Sequence, residues 1–146
     1  MIFATDGGMR ERSFAIIKPD AVAARKQGKI IDALLVEGFD IVEMRQVWLD
    51  APSAERFYAI HAGKKFFRPL VEFITSGPLI ALQVEGEDAV ARLRRFVGAA
   101  NPRTAERGTL RRRFGTSTLH NAIHASDSAG NAALEASQFF VQNKPL

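Results

Sequence analysis

The chain has 146 residues, enough for one domain that buries a hydrophobic core without cross-links. It contains no cysteine, which excludes disulfides, thiolate metal sites and cysteine nucleophiles and fits a cytoplasmic location. The formal net charge of +4 suits a solvated basic face, a small polyphosphate or a nucleic acid. The apolar run at the N-terminus is too short for a signal peptide, and because no segment approaches a transmembrane span, no membrane partner is expected.

Runs rich in β-branched and aromatic residues predict four strands. In chain order they span residues 13–20, 39–49, 78–86 and 121–126. The first is predicted to end at Pro19, which lacks the N–H that a strand ladder needs, and the third at Gly86.

Helical periodicity fills the intervals between these strands. The predicted helices span residues 28–38, 50–63, 68–75, 87–98 and 126–140. Gly38 suits a helix C-cap, and the last helix is expected to be capped by Ser126, Asp127 or Ser128. The side chains expected to pack inward are Ile30, Ile31, Leu34 and Leu35 in the first helix, Val90, Leu93 and Val97 in the fourth, and Ala129, Ala132, Ala133, Ala136 and Phe140 in the last.

This order of elements predicts the α+β class, an α/β sandwich in which helices cover one face of a sheet. We expect an N-terminal extension over residues 1–12, loosely ordered at its start, followed by a single domain over 13–146. Residues 98–120 are dense in Gly, Thr, Asn, Pro and Arg. A loop of that length inside a compact domain is usually functional.

The stretch HNAIHASDS places His120 and His124 four residues apart. On a strand, that spacing separates the two side chains by about 13 Å, too far for one shared metal ion, so no metal site is predicted. A histidine can instead attack phosphorus through its lone-pair nitrogen, provided that a partner fixes its other nitrogen. Glu135 on the following helix is suitably placed in sequence for His124. An ordinary polar surface role stays open for either histidine.

Five motifs along the chain together resemble the nucleoside diphosphate kinase family, in order and over nearly the whole length. They are IKPD (17–20), FYAIHAGKKFFRPLVEFITSGP (57–78), EGEDAV (85–90), NP with GTLR (101–111) and NAIHASDS (121–128). The resemblance implies a ferredoxin-like βαββαβ core, with a four-stranded antiparallel sheet and added helices. It also implies transfer of the γ-phosphate of a nucleoside triphosphate, typically ATP, to nucleoside diphosphates by a ping-pong route through a phosphohistidine.

The same resemblance implies catalytic roles for five residues. His124 matches the nucleophile, Glu135 the glutamate that orients its ring, and Ser126 the serine bonded to that glutamate. Lys18 matches the lysine that meets the terminal phosphate, and Tyr58 a tyrosine that helps to position it.

Six residues, counting Lys18 as well, are implied to hold the nucleotide. Arg94 and Arg111 match the phosphate-binding arginines. Asn121 matches an asparagine on the sugar hydroxyl, and Phe66 an aromatic stacked on the base, with Leu70 beside it. Mg²⁺ is expected to arrive on the nucleotide phosphates. The family assembles as hexamers or tetramers built from dimers, so a homo-oligomer is expected.

The sequence departs from the family pattern at several positions near these residues. They are Ile60 for an acidic residue, Ala100 for a threonine, Arg112-Arg113 for Gly-Asp, Thr118 for a valine and Ala125 for a glycine. Loss of the threonine hydroxyl is expected to weaken nucleotide binding, and Ala125 requires a negative φ. Arg112 and Arg113 are expected to be a surface charge run, and His61 to be a polar surface residue.

Two other functions stay open beside the kinase. Ala100 leaves room for a nucleotide-binding regulator on the same fold with weakened turnover. The runs RLRR (92–95) and RRR (111–113) leave room for a basic nucleic-acid-binding protein, although aromatic residues of the RNA-binding kind are not interleaved with them.

Overall fold

A computed structural model describes residues 10–140 of the chain. Its four strands are β1 (Arg10–Ile17), β2 (Asp40–Val47), β3 (Leu79–Glu87) and β4 (Ile123–Ala125). They form one sheet in the order β2-β3-β1-β4, and every neighbouring pair is antiparallel. The helices are α1 (Pro19–Ala23), α2 (Gln27–Val36), α3 (Ala51–Phe57), α4 (Phe67–Ile74), α5 (Ala89–Val97), α6 (Leu110–Phe114) and α7 (Ala129–Ser137). The ferredoxin-like α+β fold with added helices is thus confirmed.

The sheet is buried on both faces, so the expectation that helices cover only one face is wrong. Ala15 and Ile17 of β1 point into a core with α2, α5 and α6. Phe14 and Ile16 point the other way, into a core with α3, α4 and α7. The physical reason is visible in the unbroken apolar run FAII of β1, because a strand with one solvated face alternates apolar and polar residues.

Side-chain caps set where two of the helices begin. The Asp50 side chain accepts a hydrogen bond from the Ser53 N–H at the start of α3, and Ser128 accepts one from the Asn131 N–H at the start of α7. Of the three predicted caps of the last helix, Ser128 is therefore the correct one. At the end of α2, Gly38 has φ +102°, a left-handed conformation that favours glycine.

Several predicted helix details differ from the structure. The helix entered at Asp50 ends at Phe57, and a separate 3₁₀ turn spans Ala59–His61. The loop over 98–120 contains α6, which begins at the Thr109 cap. On α7, Ala129 and Ala133 are exposed instead of packed, and on α2 Leu35 is exposed as well, although it was predicted to pack inward.

The described residues also bear on the expected chain boundaries. β1 begins at Arg10, so residues 10–12 of the expected extension belong to the sheet. Residues 1–9, for which a loosely ordered start was expected, lie outside the described residues. The single domain over 13–146 stays a prediction. Between residues 10 and 140, no helix is long and apolar enough to cross a membrane.

Candidate active site

β4 presents His124 to the α7 side of the sheet. His124 pairs with Ile16 of β1 and faces the same core, whereas its neighbours Ile123 and Ala125 face the opposite one. The His124 Nε2 atom lies 2.8 Å from Glu135 Oε1 on α7. The Ser126 hydroxyl donates to the same carboxylate oxygen at 2.5 Å. With Nε2–H donating to Glu135, the lone pair of the imidazole lies on Nδ1.

Two aromatic rings hold the imidazole of His124 at its edges. The Phe57 ring centroid lies 5.7 Å away at an interplanar angle of 77°, and that of Phe14 lies 6.4 Å away at 62°. Phe14 is fully buried. The imidazole therefore has little freedom to rotate away from Glu135.

Lys18 is buried at the junction of β1 and α1. Its Nζ donates to Asn121 Oδ1 at 2.8 Å, and its backbone N–H donates to the Ala122 carbonyl, also at 2.8 Å. Asn121 Nδ2 in turn donates to the Ala100 carbonyl at 3.0 Å. Burial, and secondarily the nearby charge of Arg111, lower the pKa of Lys18 to about 8. The lysine is thus held in place by β4 and by the loop before α6.

Two arginines donate to the backbone of β4 on either side of His124. Arg111 donates through Nε and Nη2 to the Ile123 carbonyl at 3.1 and 2.9 Å, and through Nη1 to the Gly98 carbonyl at 3.0 Å. Arg94 donates through Nη1 to the Ala125 carbonyl at 3.1 Å. Burial, followed by the charge of Arg94, lowers the pKa of Arg111 to about 10. We call Arg94, Arg111 and Lys18 the cation row: the two arginines bind the carbonyls on either side of His124, and the charge of Arg111 lowers the pKa of Lys18.

Ala122 links Asn121, which binds Lys18, to the start of β4, and its backbone conformation is strained. It is fully buried with φ +77°, a region that side chains larger than glycine rarely adopt. Its N–H donates to Asp20 Oδ2 at 3.1 Å. Burial raises the pKa of Asp20. No role for Asp20 was predicted from the sequence, although it is the last residue of the IKPD motif.

The expected base-binding residues lie on or next to α4. Phe66, immediately before this helix, is 49% exposed, and the His61 ring meets it edge-on with centroids 5.0 Å apart. Leu70 is partly buried against the core on the α7 side of the sheet. Phe66 is therefore not a core residue, and its ring is accessible for stacking.

Tyr58 is buried and packs at right angles to Phe57, with centroids 5.0 Å apart. Burial raises the pKa of its hydroxyl, so Tyr58 stays neutral. Within residues 10–140, Tyr58 and Lys18 share no hydrogen bond. The expected positioning of Lys18 by Tyr58 therefore does not run through a hydrogen bond between them and stays a prediction.

A cavity of about 360 Å³ opens beside His124. Arg94, Asp127 and Ile60 line it, but neither Lys18 nor Phe66 does. Asn131 donates to Asp127 at 2.6 Å, a contact that lowers the pKa of this carboxyl. No chemical role was predicted for Asp127. Its position three residues after His124 was the one sequence feature that could have indicated that it lies near the site.

Comparison with known proteins agrees with this geometry. The family model for nucleoside diphosphate kinase matches residues 11–144. The chain belongs to the nucleoside diphosphate kinase family. A relative of that name from Helicobacter pylori (strain P12) is 46% identical over 132 residues, which cover 90% of this chain and 96% of that protein.

Two solved nucleoside diphosphate kinases superpose on the chain. The Aquifex aeolicus structure has a TM-score of 0.87 and 40% identity, and covers 90% of this chain and 95% of its own. That from Halobacterium salinarum, solved in complex with CDP, has a TM-score of 0.88 and 38% identity, with coverages of 91% and 89%. The chain is therefore an enzyme of this family, a kinase that transfers phosphoryl groups to nucleoside diphosphates.

The departures from the family pattern have local explanations. Ala125 lies in β4 and is not among the residues with positive φ, so the condition for an alanine there is met. Ala100 takes part through its carbonyl, which any residue supplies. Arg112 and Arg113 are exposed, whereas Arg111 of the same run is buried, so the run RRR does not form one surface.

Proposed function

We propose that His124 carries the phosphoryl group of this kinase as a phosphohistidine. The lone pair of Nδ1 attacks the γ-phosphorus of a nucleoside triphosphate, the bond from that phosphorus to the bridging oxygen breaks, and a nucleoside diphosphate leaves with the electron pair. A second nucleoside diphosphate then attacks the same phosphorus through a terminal oxygen and breaks the N–P bond. The observation that carries this proposal is the 2.8 Å contact of the opposite ring nitrogen with Glu135.

Glu135 and Ser126 have the geometry of an orienting pair. A carboxylate on Nε2–H keeps the proton on that nitrogen, leaves Nδ1 nucleophilic, and stabilises the positive ring that develops during transfer. Ser126 donates to the same oxygen and so limits rotation of the carboxylate. We propose Glu135 and Ser126 as positioning residues because the atom that reacts is Nδ1 of His124.

Lys18, Arg94 and Arg111 are proposed to neutralise the charge that spreads over the transferring oxygens. Arg111 uses three of its five N–H groups on backbone carbonyls, which leaves two for phosphate. Because these cations are already held against β4, little reorganisation is needed when the nucleotide binds.

The nucleoside is proposed to stack on the exposed ring of Phe66 beside Leu70. Stacking tolerates every base, so broad base use is expected. Asn121 already accepts from Lys18 and donates to Ala100, and it retains one amide hydrogen for a sugar hydroxyl. The Halobacterium salinarum relative was solved in complex with CDP, which supports a nucleoside diphosphate as a ligand of this fold.

Mg²⁺ is proposed to arrive with the nucleotide as part of the substrate. Between residues 10 and 140, no three His, Asp or Glu side chains lie together in a group that could hold a metal ion. Mg²⁺ usually keeps several waters and binds substrate phosphates, so this donor set fits an ion held mainly by the nucleotide.

A homo-oligomer is proposed from the edge of the sheet. β2 lies at one end of the strand order, and its outer residues Val42 and Met44 are exposed. Trp48, after β2, and Leu35 and Val36, at the end of α2, are exposed as well. An apolar edge strand favours pairing with a second copy. A cytoplasmic location stays a prediction from the sequence.

Incubation with γ-labelled ATP tests the phosphohistidine. The purified protein is expected to acquire label that is stable to base and labile to acid, and to release it as labelled nucleoside triphosphate when a nucleoside diphosphate is added. His124→Ala is expected to abolish the label, whereas His120→Ala, a matched change at the other histidine of the motif, keeps it. Label that persists in His124→Ala would overturn the assignment.

A further inference from the structure

The segment 92–113 concentrates positive charge that the rest of the chain does not share. It contains eight arginines and one glutamate, a net charge of +7, whereas the remainder of the chain carries −3. In residues 10–140, the arginines that form ion pairs are Arg10, Arg12 and Arg68, and none lies in this segment. The exposed arginines of the segment therefore form a basic surface that has no carboxylate partner between residues 10 and 140.

Three adjoining cavities connect this surface to His124. A cavity of about 350 Å³ is lined by Arg92, Arg95 and Arg107, with Glu37 as a single carboxylate opposite three guanidinium groups. Arg95 also lines the next cavity, of about 410 Å³, together with Arg94. Arg94 in turn lines the 360 Å³ cavity that contains His124. We call the path marked by Arg92, Arg95, Arg107 and Arg94 the arginine groove.

The arginines of the groove differ in how much of their hydrogen-bonding capacity is free. Arg92 donates to the Glu37 and Glu87 carbonyls and lies over the Phe39 ring. Arg95 and Arg107 are exposed, and their side chains donate to no residue of the described part of the chain. These two guanidinium groups are available to an external anion.

The chemistry of the groove favours a chain of phosphates. Guanidinium forks match phosphate oxygens. Single-stranded nucleic acid also needs aromatic faces for its bases, and the phenylalanines that line the three cavities, Phe96 and Phe57, are only partly exposed. The groove further leads to a residue that reacts with phosphoanhydrides, which a nucleic acid backbone does not contain.

We propose that the arginine groove binds a linear inorganic polyphosphate whose end lies at Arg94 beside His124. This ligand goes beyond the nucleotides of the proposed function. Since Arg94 serves both ligands, polyphosphate competes with the nucleoside triphosphate. Glu106 is the one carboxylate within the segment and lines the middle cavity, so it opposes this binding.

Polyphosphate inhibition of the full-length kinase tests this proposal. Inorganic polyphosphate is expected to raise the KM for ATP and leave kcat unchanged. Arg95→Glu and Arg107→Glu each are expected to raise its inhibition constant roughly tenfold, through loss and reversal of a charge-assisted contact. Both variants keep wild-type kinetics without polyphosphate. Glu106→Gln is expected to lower the inhibition constant, a gain that a folding defect does not produce.

Arg113→Glu is the matched control because Arg113 lies in the same segment, is exposed and lines none of the three cavities. Its charge change is identical. An equal rise of the inhibition constant in Arg113→Glu would show that polyphosphate is attracted by net charge alone, and would overturn the proposed binding in the groove. Single-stranded DNA and polyphosphate are also tested in competition for the groove. Tighter binding of the DNA would overturn the proposal. Labelling of His124 by ATP is measured separately, so failure of the proposed kinase mechanism is distinguishable.

Discussion

Arg111 is buried and donates three hydrogen bonds to backbone carbonyls, whereas Arg113, two residues later on α6, is exposed and packs over the Phe114 ring at 4.9 Å. The same contrast separates Lys18 from Arg95 and Arg107. Buried cations are fixed by the fold at the expense of desolvation, which lowers their pKa values. Exposed cations cost the fold little and are free to move. The buried cations Lys18 and Arg111 therefore suit transition-state binding, and a mobile basic surface suits a loosely held polyanion.

Loss of Arg111 is expected to have the largest effect. In Arg111→Ala, kcat/KM falls roughly 10²–10³-fold because one preorganised cation no longer faces the transferring phosphate. The free energy of unfolding falls, because the loss of three charge-assisted hydrogen bonds, at about 1.5–3 kcal/mol each, outweighs the relief from burying the charge of Arg111. Steady-state kinetics and urea unfolding measure the two effects. Wild-type turnover in Arg111→Ala would contradict the catalytic role of the buried cations.

Lys18→Met is expected to separate activity from stability. The variant loses roughly 10²-fold in kcat/KM. Its stability at neutral pH rises, because the pKa of Lys18 lies near 8 in the fold and its charged form is disfavoured there. At about 1.4 kcal/mol per pKa unit, less about 1.5–3 kcal/mol for the lost charge-assisted hydrogen bond to Asn121, the gain is about 1 kcal/mol. A less stable variant in urea unfolding at pH 7 would contradict this account.

The pH dependence of the kinase is expected to report the same lysine. Phosphate binding needs the charged form, and the pKa of Lys18 is lowered to about 8, so kcat/KM falls as pH rises through about 8, approaching tenfold per pH unit. The limb in kcat is expected at higher pH, because bound phosphates favour the protonated lysine. If the fall of kcat/KM near pH 8 is absent in Lys18→Met, it is assigned to the titration of Lys18. A limb that persists in that variant assigns it to another group.

Arg112→Ala and Arg113→Ala are expected to have the smallest effects. Arg112 donates only to the Arg103 carbonyl at 2.9 Å, and both side chains are exposed. Each change is expected to alter the free energy of unfolding by less than about 0.5 kcal/mol, as is usual for surface positions. Turnover stays at the wild-type rate. A marked loss of activity in either variant would remove the distinction between buried and exposed arginines.

Much of the fold was predictable because its signals are local. The apolar runs of β1 and β3, the cap of α3 at Asp50 and the turn at Gly38 each act over a few residues. The helices on both faces of the sheet were missed because burial of a strand's second face depends on elements far away in sequence. The end of the α3 segment was missed because helical periodicity continues into the 3₁₀ turn at Ala59–His61.

The candidate site was predictable to a different degree. Glu135 follows His124 by eleven residues, and the fold brings the two into contact, as reasoning from spacing expected. The contacts of Arg111 and Arg94 with the carbonyls around His124 carry no sequence signal, because a backbone carbonyl has no residue identity. The strain at Ala122 was likewise invisible, since alanine gives no hint of a positive φ.

The short strand β4 has a consequence for the catalytic cycle. His124 stands on a sheet, with its ring against Phe14 and Phe57 and the carbonyls on both sides bound by arginines. In the proposed mechanism the nucleophile therefore stays in place while the donor and acceptor nucleotides bind beside it in turn. The two half-reactions become the same event run in opposite directions. Net flow of phosphate then follows the supply of the nucleotides, with no preference imposed by the protein.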